Sequence, residues 1–480
     1  MNFLRNHQGY KSLESAAQPQ FNPMIQLNLL LFSFLGVFLL RSAAQVLLAR
    51  LNIAHLRKHG GSIPEVFQGT VDQEKLQKIS AYTVDSARFG ILTTLTDQAL
   101  LLVLLLSGVL PWIQSLANPF GLGVVTGGLF FFALLSLPGF ILDIPFSLYG
   151  NFVIEARHGF NTKTLRVWVV DLLKGLLLSA LLGAPLLALL LFLIQSGGPL
   201  WWLWAWALVG LFELLILWLY PVLLAPLFNK FEPLANQDLV RKIADLLGKA
   251  DLKAKGVFQM DASRRSRHTN AYFTGLGKSK RIVLYDTLLT SHTEEEILAV
   301  LAHEAGHWKK WHVPKQVIIL EALSLLGFYG VAKILDVPLI YQTFGFSQPV
   351  AYVGLFLVTT LFSPLLYFAE PLGAVFSRRF EREADDYALL LTQDPAPMVK
   401  ALKRLASDNL SNLTPHPLYA WFYYSHPPLL ERIRRLQESL PGPGSTEFLS
   451  NPAGAFSAAE HRKRADGISP PGGNPPNPNH

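Results

Sequence analysis

Long apolar stretches alternate with polar ones along most of this chain, and the polar stretches come in two kinds. Seven apolar stretches reach the roughly 20 residues that a helix needs to cross a bilayer: 25–49, 91–114, 122–148, 168–196, 199–228, 314–337 and 349–376. The segment after the first carries Arg50, Arg57, Lys58, Lys75, Lys78 and Arg88, whereas the next loop, "SLANPFGLG", carries no basic residue. The third holds Arg157, Lys163 and Arg166, and the fourth, "QSGG", holds none. Residues 229–313 hold 14 Lys and Arg, the loop "VPLIYQTFGFSQ" holds none, and the C-terminal region is basic again. Basic loops collect on the cytoplasmic face of a membrane protein. A wrong span count would break the alternation, so seven spans are predicted, with the N-terminus outside and the C-terminus cytoplasmic. Only Arg5 and Lys11 in the N-terminal arm depart from the pattern. The first apolar run is too long for a signal peptide and lacks a small-residue cleavage pattern, so it is predicted to stay as a span.

The spans also carry ionisable residues: Arg41, Asp97, Asp143, Asp171 with Lys174, Glu213, Glu321 and Glu370. A charge at the bilayer centre costs about 3 kcal/mol on insertion scales, which favours a hydrated interior. Residues near span ends can instead snorkel to the interface. The composition agrees with a polytopic membrane protein carrying some soluble mass. Charged residues make up 16% of the chain and mean hydropathy is +0.31, against about 25% charged in an ordinary soluble domain. The net charge of +7 reflects basic loops on one face rather than nucleic-acid binding, because no groove-reading motif accompanies it. With no cysteine in 480 residues, a disulfide framework and thiolate metal ligation are excluded.

Six pieces follow: an N-terminal arm (1–24), spans one to five with their loops (25–228), a soluble insertion (229–313), spans six and seven (314–376), a second soluble piece (377–440) and a tail (441–480). The insertion starts helically with "NQDLVRKIADLLGKA". Short strands "GVFQM" (256–260), "NAYFT" (270–274) and "RIVLY" (281–285) follow, the last two joined as a hairpin through "GLGKSK". Residues 377–440 read as helical with Pro-rich breaks, and the Pro- and Gly-rich tail reads as disordered.

Chemistry enters with "LAHEAGHWKKWH" (301–312). The stretch 291–312 reads as a helix: Thr293 and Glu296 have capping-box spacing, and Pro314 marks a hand-over to the sixth span. Positions i and i+4 share a helical face, so His303 and His307 can reach one Zn²⁺, with Glu304 alongside to act on a zinc-activated water. A metzincin would continue with Gly at 310 and His at 313; Lys310 and Val313 stand there instead. His312 falls off the shared face and is predicted to be interfacial rather than a ligand. A third ligand can come from "SRRFEREADDYALLL" (377–391), where Glu381 could bind metal and Asp385 could orient a histidine. A solvated charged helix fits that spacing equally well.

The combination of His-Glu-x-x-His with "EREAD" and "SHPPLLERI" (425–433) closely resembles the type I CAAX prenyl endopeptidases, integral-membrane zinc proteases of the gluzincin type. The likeness extends to "PFSLYGNFVIEARHGFN" (145–161), "APLFNKFEPL" (225–234) and "NAYFTGLGKSKRIVLYDTLL" (270–289), and covers roughly residues 70 to 440. It implies a mainly α-helical fold: seven transmembrane helices around a water-filled chamber, plus a cytoplasmic zincin-like domain with a short β-hairpin or sheet. It further implies one Zn²⁺ held by His303, His307 and Glu381, Glu304 as base, His426 and Arg432 at the active site and Asn270 near bound substrate. Arg432 is expected there to hold a substrate carboxylate or His426. Read from their own surroundings, His426 could be a turn histidine before two prolines and Arg432 a plain amphipathic-helix arginine.

The function that follows is zinc endoproteolysis in the membrane, on a peptide or protein that is prenylated in the family and cut three residues from its end. The protein is expected in the endoplasmic reticulum, as for eukaryotic relatives, or in the cytoplasmic membrane of a bacterium. A broader protease for damaged membrane proteins would use the same chemistry. A seven-span transporter or receptor that only carries or senses zinc would not need Glu304 beside the first ligand, and a catalytically dead scaffold would not keep every motif residue.

Overall fold

The computed structural model describes residues 24–275 and 280–439. The tail, all but the last residue of the expected N-terminal arm, and the turn of the predicted hairpin lie outside the described residues. Among the described residues, six helices are long and apolar enough to cross a membrane: Leu29–His59, Gln73–Leu106, Val124–Glu155, Leu165–Ser196, Gly198–Phe228 and His312–Ile334. The seventh crossing is broken. Ala351–Tyr367 and Glu370–Thr392 meet the same criteria together but bend by 57° at the break between them. Pro371 follows that break, where the missing N–H of a proline costs nothing because first-turn donors have no helical partner.

Span boundaries differ from the apolar runs where polar residues continue a helix into the soluble part. The second span begins at Gln73 rather than near residue 91, because its polar first turns are amphipathic. Leu76 and Ile79 are buried against Phe67, Met398 and Ile433. At its other end the helix stops at Leu106, since Gly108 adopts φ 78° and starts a separate helix, Val109–Ser115. Phe34, Leu105, Phe131, Leu191 and Leu357 join five spans in one buried cluster. Leu39, Leu92, Ile141, Leu173, Leu211 and Leu320 stand exposed on the outsides of helices, an arrangement that is stable in lipid. Asp97, Asp143 and Glu213 are also exposed in mid-span, and such groups need water around them.

The soluble insertion is built on four strands: β1 (Phe231–Pro233), β2 (Val257–Met260), β3 (Ala271–Thr274) and β4 (Arg281–Tyr285), in the order β1-β2-β4-β3. The β3–β4 pair is the antiparallel hairpin expected, with Tyr272 opposite Val283. Strand β1 has three residues including Pro233 and no alternating pattern, so only its antiparallel pairing with β2 reveals it. Strand β4 is covered on both faces. Ile282 and Leu284 pack with Ile297 and Leu301 on one side, and Val283 packs with Met260 and Ala262 on the other.

The helix Glu294–Lys309 lies on that sheet and crosses Glu370–Thr392. At the crossing, a Cβ added to Gly306 would stand 2.9 Å from both the Cα and the carbonyl oxygen of Ala384. No side chain but hydrogen fits, and the approach sets the distance between the two helices. Gly306→Val is therefore expected to lower stability by about 1–3 kcal/mol in denaturant unfolding of the detergent-solubilised protein. Gly248→Ala, where nothing lies within 4 Å, is expected to leave stability unchanged or slightly raised.

Candidate metal centre

The helix carrying the histidine pair starts with the capping box its sequence predicts. Thr293 Oγ1 accepts from Glu296 N–H at 3.3 Å, and Glu296 Oε2 accepts from Thr293 N–H at 2.9 Å. The helix ends at Lys309, earlier than expected. Trp311 turns left-handed with φ 58°, and a new helix begins at His312. In the crossing helix the buried residues Arg378, Glu381, Ala384, Asp385 and Ala388 form one stripe. That stripe faces the histidines, so Glu381 is not on a solvated charged surface.

Three side chains converge. His303 Nε2 lies 3.1 Å from His307 Nε2 and 3.4 Å from Glu381 Oε2, and His307 Nε2 lies 3.3 Å from Glu381 Oε1. Tetrahedral bonds of about 2.0–2.1 Å to a zinc ion place ligand atoms roughly 3.3 Å apart, so the spacing fits such an ion. Glu381 Oε2 is buried with no hydrogen-bond partner, an acceptor oriented at a cation position. The electrostatics agree. Burial works against charge on His303, yet the neighbouring carboxylates of Asp385 and Glu381 outweigh it and raise the imidazole to about 9. Burial also opposes an ionised Glu381, and the two imidazoles nevertheless hold it well below the usual carboxylate range. The site demands positive charge at its centre, which a metal supplies in place of protons. Burial pushes the Glu304 carboxyl up, while His303 and His307 partly offset the rise.

Each imidazole is held from behind. With Nε2 of His303 turned inward, its Nδ1–H donates to Asp385 Oδ1 at 2.8 Å. Asp385 is gripped by Arg432, whose Nε and Nη2 donate to it at 2.9 and 2.6 Å. His307 Nδ1–H donates to His312 Nδ1 at 3.0 Å, and His312 Nε2–H then donates to Glu383 Oε2 at 3.2 Å. These contacts fix both tautomers. His312 is 1% exposed and stacked on Phe380 with ring centroids 4.4 Å apart, so it is not interfacial. The i, i+4 rule hides it, because the left-handed turn at Trp311 brings it back toward His307. The nearby "WKKWH" is the only hint in the sequence that the helix does not run straight into the span.

His426 reaches the same place, with Nε2 3.3 Å from Glu381 Oε1 and its side chain largely open. Arg432 is placed differently from the substrate contact expected of it. It is 8% exposed and committed to Asp385, with no hydrogen bond to His426 among the described residues. Asn270 is exposed at the start of β3, its Oδ1 accepting from Ala271 N–H at 2.8 Å. Strand β3 is an edge of the sheet.

A glutamate beside the first of two helix-borne histidines, with a carboxylate from a second helix, is the arrangement of a gluzincin-type metallopeptidase, here joined to a polytopic membrane bundle. Comparison with known proteins gives the lineage. Residues 52–230 match the family described as CAAX prenyl protease N-terminal, five membrane helices, and residues 233–440 match peptidase family M48. A CAAX prenyl protease 1 homolog of Arabidopsis thaliana is 39% identical over 389 residues, covering 78% of this chain and 90% of that protein. CAAX prenyl protease 1 of Saccharomyces cerevisiae is 35% identical over 402 residues, covering 78% and 88%. The crystal structure of S. mikatae Ste24p superposes with a TM-score of 0.81 at 31% identity, covering 86% of this chain and 100% of that one. The chain belongs to the CAAX prenyl protease family of M48 peptidases, and it is a membrane-spanning metalloendopeptidase.

Removing one partner of a buried ion pair leaves the other charge uncompensated, at about 3–5 kcal/mol. Arg432→Leu is expected to lose that much in thermal unfolding. A change within about 0.5 kcal/mol would mark an ordinary surface arginine.

Proposed function

We propose that the chain binds one Zn²⁺ through His303 Nε2, His307 Nε2 and a Glu381 carboxylate oxygen, and cleaves prenylated polypeptides near their C-terminus. The observation that carries the metal assignment is the convergence of those ligand atoms within 4.8 Å of one another. When bound, zinc with three protein ligands acidifies a water and polarises the scissile carbonyl. Glu304 takes the proton of the attacking water and delivers it to the leaving amine. Burial raises its carboxyl above the ordinary range, the direction that favours holding a proton between the two transfers. His426 Nε2–H donates to the carbonyl oxygen as negative charge develops there. Asp385, held by Arg432, keeps His303 in its ligating tautomer, and His312, backed by Glu383, does the same for His307.

The exposed edge of β3 pairs with an extended substrate through main-chain hydrogen bonds, with Asn270 fixing where that edge begins. Prenylated substrate is supported by the names of relatives at 35–39% identity and by a site joined directly to membrane spans. The basic loops support a cytoplasmic active site and C-terminus. We assign the membrane enclosure to residues 25–228 and 314–376, and the protease to 229–313 together with 377–440.

Glu304→Gln is expected to retain one zinc per chain while losing peptide cleavage by about 10²–10⁴-fold; a purified mutant with full activity would contradict the assignment. His312→Ala is expected to weaken zinc binding about 10–100-fold in competition with a chelator. A farnesylated peptide should be cut much faster than its unmodified counterpart. Equal rates would assign the enzyme to unselective membrane proteolysis.

A further inference from the structure

Away from the metal centre, a cavity of about 610 Å³ opens where the fourth span begins and the fifth ends. Five cations line it, Arg166, Lys174, Lys230, Arg264 and Arg265, against a single carboxylate, Asp171. That carboxylate is already matched. Arg265 forks onto it with Nε and Nη2 at 3.0 and 2.9 Å, and Lys163 stands 3.8 Å away. Lys174 rises out of an apolar stretch to donate to the Leu227 carbonyl at 2.6 Å. The side chains of Arg166, Lys230 and Arg264 are exposed and have no acceptor or ion-pair partner among the described residues.

We infer that this cavity holds the phosphate-bearing headgroup of an anionic phospholipid. The basic excess that orients membrane proteins requires only charge in the loops. Here the charges converge from two span ends and a loop of the soluble insertion onto one hollow. Apart from Asn229, whose Oδ1 accepts from Arg265 at 3.2 Å, the remaining wall is apolar and includes Val167, Val170, Pro226 and Phe228. Below it, Leu173, Leu177 and Leu223 present exposed apolar side chains along the same two spans. A free phosphate would satisfy the cations and leave those walls against water. A lipid satisfies both, with its headgroup among the cations and its acyl chains along the spans. Basic residues beside an acidic headgroup favour it by about fivefold each. The site lies on the same membrane face as the metal centre, since residues 261–266 and the histidine helix belong to one insertion. Its occupancy does not depend on the proposed protease chemistry.

Native mass spectrometry of the full-length protein in detergent, offered equal amounts of phosphatidylserine and phosphatidylcholine, tests this. The wild type is expected to retain phosphatidylserine at least about tenfold better. R166Q/K230Q/R264Q, with an unchanged elution profile and helical circular dichroism, is expected to abolish that preference. Should the triple variant not fold, Arg264→Gln alone, at an exposed loop position, is expected to cut it about fivefold. Equal retention of the two lipids by the wild type overturns the inference, as does undiminished preference in a folded variant. Displacement of phosphatidylserine by millimolar inorganic phosphate assigns the cavity to free phosphate and overturns the lipid identity.

Discussion

The contact of Gly306 with Ala384 is the constraint on which the remaining geometry depends. One helix carries both imidazoles and the other carries Glu381, and the sixth span and half of the seventh separate them along the chain. A cation can be clamped only if the two helices approach closely enough for side chains of ordinary length to meet at bonding distance. The glycine inside the histidine motif allows that approach, and a stripe of alanines on the opposing helix continues it. A buried carboxylate facing two imidazole lone pairs is unfavourable until positive charge occupies the centre. The packing thus creates a demand that a metal ion meets, and the family to which the chain belongs is one of metallopeptidases.

Outer contacts hold this centre on two sides with different chemistry. His303 leans on the Asp385 carboxylate, which pushes its imidazole toward basicity, although the buried arginine forked onto that carboxylate works the other way. His307 leans on a neutral imidazole, with a carboxylate one step further away. In both cases the inward nitrogen is left free to ligate, which is the function of such outer partners. Arg432 and His312 therefore act through other residues rather than on substrate. The half-buried Glu304, the exposed His426 and Asn270, and the edge of β3 are the groups that can meet a peptide.

Much of this was legible in the sequence, for identifiable reasons. The seven crossings follow from apolar length and alternating loop charge, and the histidine pair from helical spacing with a capping box ahead of it. The Glu381 helix was not decidable from spacing alone, because a charged amphipathic stripe looks the same whether it faces water or a metal. Only resemblance favoured the ligand reading there. His312 was hidden by the positive φ of Trp311, a conformation that bulky residues rarely adopt. The break in the last crossing is foreshadowed by Pro371, but its 57° angle is a matter of packing. Strand β1 has too few residues to carry any pattern.

The most direct test is X-ray absorption at the zinc edge on the purified, zinc-loaded protein, wild type beside Glu381→Ala. The account predicts two imidazole nitrogens at about 2.0–2.1 Å with oxygen completing the shell. It also predicts loss of that spectrum, or of stoichiometric zinc, in the variant. An unchanged spectrum and full zinc content without the Glu381 carboxylate would contradict it.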